Sequence, residues 1–167
     1  MVRQRWTRLL MASIAVVVLG SAVGCSDDPN DAGSTSAAAS SATGPSTVGV
    51  TLSEFAVGVD TASAPAGSVT FEVSNTGPED EHEFVVIRTD LSFTDLPTDK
   101  DGAVEEDAEG VEAIDEIEGV PVDGSESLTV ELTAGSYALI CNILQKEPDG
   151  TLEAHYSKGM RAGFTVE

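Results

Sequence analysis

The residues in this chain best equipped for chemistry are His82, Cys141, His155 and Met160. One thiolate, two imidazoles and a thioether make up the donor set of a mononuclear type 1 copper centre. The thiolate and imidazoles bind such an ion in a trigonal plane, and the weak axial sulfur tunes its potential. The sequence holds two histidines, two cysteines and three methionines in all. Met1 and Met11 fall in an amino-terminal export segment and Cys25 in a lipidation motif, so the mature chain has no spare residue of the three types. Zinc competes for a mixed Cys/His site, but the thioether favours copper. The expected cofactor is therefore one type 1 copper per chain, with His82, Cys141, His155 and Met160 as ligands.

The spacing limits how these residues can meet. His82 and Cys141 lie 59 positions apart, so only a compact fold that gathers strand ends at one pole can join them. His155 and Met160, with four residues between them, can reach a metal from a single loop. Cys141 is without a disulfide partner once Cys25 is lipidated, unusual for an exported chain, and must be buried or ligated. It follows the apolar run Tyr137-Ala138-Leu139-Ile140. A Cys141–His155 hydrolytic dyad would need an exposed thiolate instead. With both histidines used, no second copper site can be assembled, and the chain is not expected to be an enzyme.

The elements that must hold these residues read as strands. Short β-rich runs at Val48–Leu52, Phe55–Val59, Ser68–Ser74, Glu83–Arg88, Ser127–Leu132, Ser136–Asn142 and Arg161–Val166 are separated by Gly, Pro, Asn and Asp. That is the pattern of an all-β sandwich. Val69, Phe71 and Val73, like Leu128, Val130 and Leu132, alternate as strands with one buried face do. Residues 95–119 differ, being crowded with acids from Asp95 to Glu118. There the three-residue spacing of Val111, Ile114 and Ile117, with Val104, predicts a short acidic helix laid on the sandwich. Asp99-Lys100-Asp101-Gly102 only superficially resembles a calcium loop, since the oxygen-ligand spacing and terminal glutamate are not reproduced.

The ends carry targeting information. Residues 1–24 have a basic start at Arg3, Arg5 and Arg8 and an apolar run from Leu9 to Gly20, too short for a durable span. Ala22-Val23-Gly24-Cys25 resembles a lipobox, which makes Cys25 the lipidation site and the product a lipid-anchored, extracytoplasmic membrane protein. Residues 26–46 are almost all Ser, Ala, Thr, Gly, Asp and Pro with little to bury, so 25–46 read as a disordered, lipid-anchored tether. Residues 47–167 form the folded domain. The formal charge of −21 becomes −24 when the three signal-segment arginines are removed. That excess argues against nucleic acid as a partner; it fits either a surface adapted for solubility or a basic partner.

From Val48 to Glu167 the chain resembles the cupredoxins, the plastocyanin-like blue copper proteins. Asn75-Thr76-Gly77 precedes His82, Gly135–Cys141 resembles the strand that ends in the copper cysteine, and His155-Tyr156-Ser157-Lys158-Gly159-Met160 resembles the family's His-x4-Met element. The resemblance implies a Greek-key sandwich and an outer edge of His155 presented to partners. It also implies electron transfer with redox partners such as a basic cytochrome or a membrane oxidase, by a monomer. Two departures stand out. Thirteen residues separate Cys141 from His155 where the family has a few, and their Pro148-Asp149-Gly150 centre predicts a small hairpin. Glu83 stands where many members carry the Asn or Ser that tethers the ligand loops. Copper delivery or storage, and a metal-free β-sandwich lipoprotein, are the other functions compatible with this sequence.

Overall fold

The computed structural model describes residues 44–167. The expected signal segment, Cys25 and most of the tether lie outside the described residues. The described chain forms, in order, β1 (Ser46–Ser53), β2 (Ala56–Val59), β3 (Ser63–Ala64), β4 (Gly67–Asn75), β5 (His82–Arg88), β6 (Glu112–Val120), β7 (Ser125–Leu132), β8 (Gly135–Ile140), β9 (Leu144–Lys146), β10 (Leu152–Ala154), a helical turn α1 (His155–Lys158) and β11 (Arg161–Val166).

These strands build two main sheets, one ordered β2-β1-β4-β7 and the other β3-β11-β8-β5-β6. The chain crosses between the two main sheets after β2, β3, β4, β6 and β7, and the last three crossings are those of a Greek-key sandwich. Period-two alternation explains why the layers stack. Val69, Phe71 and Val73 of β4 face Phe84 and Val86 of β5, Tyr137 and Leu139 of β8, and Phe164 and Val166 of β11 in one buried cluster. Phe71 lies at the middle of that cluster, with ring centroids 5.3 Å from Phe84 and 5.6 Å from Phe164.

The five-stranded sheet is covered on its outer face as well. Val85 and Ile87 of β5 and Ala138 and Ile140 of β8 point away from the sandwich and pack under Leu96, Val104, Val111 and Tyr156. This second core explains why β5 reads as a continuous apolar run rather than an alternating one.

The acidic helix expected within residues 95–119 is not formed. Ile114 and Ile117 of its stripe belong to β6, an edge strand antiparallel to β5, while Val104 and Val111 lie before that strand in the second core. Two irregularities in the pairing place extra β6 residues opposite β5. Each such bulge resets the in–out alternation, so Ile114, Ile117 and Val120 fall three apart on one face and imitate a helical repeat. Exposed acids along β6 also discourage pairing of that edge with another chain. Asp99 is accounted for locally: its Oδ1 accepts the N–H groups of Asp101, Gly102 and Ala103 at 2.8, 2.8 and 3.1 Å.

Candidate metal centre

Strand parity delivers two of the ligands. Phe84 and Val86 face the sandwich, so His82, two residues earlier, opens β5 on the same side; Cys141 continues the inward series of Tyr137 and Leu139 just past β8. The two strands are antiparallel with Val85 opposite Ile140, which sets the start of one beside the end of the other. Glu83 then reaches across, its Oε1 accepting the Asn142 N–H at 2.7 Å. The residue that departs from the family pattern thus makes a tether of its own. Burial pushes the Glu83 carboxyl up to about 7, with Glu116, Glu106 and Glu118 adding to the rise and the Asn142 N–H opposing it.

The loop delivers the other two. β9 and β10 form the expected hairpin, with Lys146 opposite Leu152 and Leu144 opposite Ala154. Its base is closed by the His155 N–H donating to the Ile143 carbonyl at 3.0 Å. The insertion therefore folds back on itself, and His155 returns to the pole almost as if it followed Ile143 directly. The Met160 N–H donates to the His155 carbonyl and the Cys141 N–H to the Met160 carbonyl, each at 3.1 Å. Gly159 makes this tight return possible: its φ is +127°, and a Cβ there would stand 3.0 Å from the Phe55 carbonyl oxygen. Tyr156 straps the loop to the acidic segment, its hydroxyl donating to the Phe93 carbonyl at 3.0 Å and accepting the Leu96 N–H at 2.9 Å.

The result is a converging set of three donor atoms. His82 Nδ1 and His155 Nδ1 are 3.2 Å apart, and Cys141 Sγ lies 3.4 Å from the second and 3.9 Å from the first. The centre of a triangle with those sides is about 2 Å from each corner, which matches metal–imidazole bonds and falls slightly short of metal–thiolate ones. All three residues, and Met160 with them, are fully buried. Met160 shares the sandwich core with Cys141.

Burial sets the protonation of these side chains. It pulls both imidazoles below their ordinary range; Glu54 and Asp80 only partly oppose this at His82, and His82 reinforces it at His155. Neutral imidazoles are the form that binds metal. Burial also pushes the Cys141 thiol up to about 12, against the N–H groups of Ile143 and Glu83. A thiol so placed gives up its proton when a cation takes it as a ligand.

The outer edge of His155 is not presented to solvent, contrary to the expectation from the family. Phe55 lies edge-on to it with centroids 5.4 Å apart, and the residue has no exposure. Sequence reading also missed Glu54, whose Oε1 lies 3.4 Å from His82 Nε2, and Asn142, whose side chain bonds both the N–H and the carbonyl of Val104. These contacts join positions far apart in the chain and leave no local signature. Asn75 did leave one: its Oδ1 accepts the Gly77 N–H at 2.8 Å, and its amide donates to the Asp80 and Val120 carbonyls, fixing the turn ahead of His82.

No family model and no curated relative matches the sequence. Solved structures do match. Rusticyanin from Thiobacillus ferrooxidans is 20% identical over 74% of this chain and 79% of its own, with a TM-score of 0.51. A reduced rusticyanin gives 20% identity, 74% and 81% coverage, and a TM-score of 0.50. Auracyanin from Roseiflexus castenholzii gives 22% identity, 74% and 99% coverage, and 0.48. With the sandwich, the crossing strands and the ligand pole in place, the rusticyanin match fixes the architecture: the chain has the cupredoxin fold.

Proposed function

We propose that this protein is a type 1 copper electron carrier, exported and held by a lipid on Cys25 at the outer face of a membrane. The observation that carries the reading is the buried triangle of two Nδ1 atoms and one Sγ with a metal-sized centre. Copper held there would supply a one-electron couple. The remaining work is done by the chain. Cys141, His82 and His155 would hold the ion through one thiolate and two imidazoles, and Met160 would add a weak thioether donor. Rigid strands and the backbone bonds among Cys141, His155 and Met160 keep the donors in place through both oxidation states. Complete burial of the donors favours retaining the ion over delivering it.

Exposed Glu112, Asp115, Glu116 and Glu118 on β6 give a surface that would steer a basic redox partner, with exchange slowing as salt rises. The lipobox-like Ala22-Val23-Gly24-Cys25 supports the anchor. Adding Cu(II) to the metal-free protein should produce an intense visible charge-transfer band that ascorbate bleaches and an oxidant restores. Cys141→Ser should abolish that band. A wild-type protein that binds no Cu(II), or binds it without colour, would refute the reading.

A further inference from the structure

Among the described residues three buried polar side-chain atoms, all at the site, have no hydrogen-bond partner: His82 Nε2, Glu54 Oε2 and His155 Nε2. The first two belong to neighbouring side chains. The other oxygen of the Glu54 carboxylate, Oε1, stands 3.4 Å from the His82 nitrogen, and the Glu54 side chain is only 12% exposed. Oε1 also accepts the N–H groups of Asp80 at 2.7 Å and Glu79 at 3.2 Å. The carboxylate is therefore clamped on the turn that leads into β5. Its backbone donors and His82 outweigh burial, which works to raise its pKa, and hold it below the ordinary carboxylate range.

The chemistry of His82 requires a partner here. Metal binding through Nδ1 leaves the ring proton on Nε2. That N–H is enclosed, away from water, and a buried donor left unpaired is unfavourable. Glu54 Oε1, 3.4 Å away, is the carboxylate oxygen within reach of it. No other acid stands at this ring nitrogen among the described ion pairs.

On the proposed copper-site reading, the geometry points to Glu54 as a positioning residue that accepts the Nε2 proton of His82 and so fixes the ring and lowers the reduction potential. A carboxylate in this place makes the imidazole a stronger donor, and its negative charge favours the more highly charged ion, Cu(II). Glu54 is thus a tuning element for a ligand it touches, on the side away from the metal.

The test compares Glu54→Gln with Glu81→Gln, which removes an equal charge from the exposed residue beside His82. Glutamine keeps an oxygen for the Asp80 and Glu79 N–H groups, so the turn should survive. Glu54→Gln should lower the ratio of Cu(II) to Cu(I) affinity about tenfold, raising the potential by about 59 mV for one electron. Glu81→Gln should change the ratio less than threefold. A Glu54→Gln potential within that threefold band, or an equal shift in both variants, overturns the inference. A second readout does not depend on copper. In the zinc-loaded protein the His82 Nε2–H should give a downfield, slowly exchanging proton resonance that moves upfield in Glu54→Gln and not in Glu81→Gln; an unmoved resonance overturns the inference. Failure of the wild type to colour with Cu(II) counts against the proposed function alone, and the zinc measurement then decides the role of Glu54.

Discussion

The ligand pole has two halves that are built differently. His82 and Cys141 sit at the ends of adjacent central strands, positioned by register and by cores on both faces of the sheet. His155 and Met160 sit on a loop whose shape depends on a few backbone bonds, one glycine and the Tyr156 strap. The comparison shows that geometry can be imposed in two ways. A strand holds a ligand through dozens of contacts, each weak. A loop holds one through a handful of bonds, any of which matters.

Breaking the strand half should have the largest effect. Phe84→Ala, at a fully buried ring 5.3 Å from that of Phe71 and two residues along β5 from His82, should cost about 3–5 kcal/mol through the cavity it leaves, read from the urea midpoint, and should take metal affinity down with it. The loop half should fail at smaller cost and more locally. Gly159→Ala forces a side chain into a conformation only glycine adopts readily, against the Phe55 carbonyl, and should cost about 1–3 kcal/mol, read by thermal melting. Tyr156→Phe strips the Leu96 N–H of its acceptor and should cost about 1–2 kcal/mol, with faster hydrogen exchange at Leu96 and little change in β5. Replacing Glu147–Thr151 by Asn-Gly should change stability by less than about 1 kcal/mol and metal affinity less than threefold. The closure at Ile143 and His155 isolates the hairpin tip from the site, so a larger loss of affinity from that shortening would erase the contrast between the halves.

The same division explains what could be read from the sequence. β11 was legible to the residue, and β4, β5 and β7 to within two, because alternation and turn residues are local signals. The hairpin announced itself through Pro148-Asp149-Gly150. β6 was misread as a helix because bulges shift its apolar spacing from two to three, and a bulge is defined by the partner strand. Glu54, Asn142 and the covering of His155 by Phe55 were invisible for a related reason. Each depends on a contact between segments whose closeness only the folded register reveals. The convergence of His82, Cys141 and His155 was legible because the sequence is so poor in histidine and cysteine that composition singled them out.

β1 has one more implication. It runs from Ser46 to Ser53 and hands the chain to Glu54 at the ligand pole. Eight residues of strand advance about 26 Å, so the polypeptide enters the domain at the end remote from Cys141. On the proposed copper-carrier reading, a partner can dock over the ligand pole, opposite the start of β1, without the domain having to turn over.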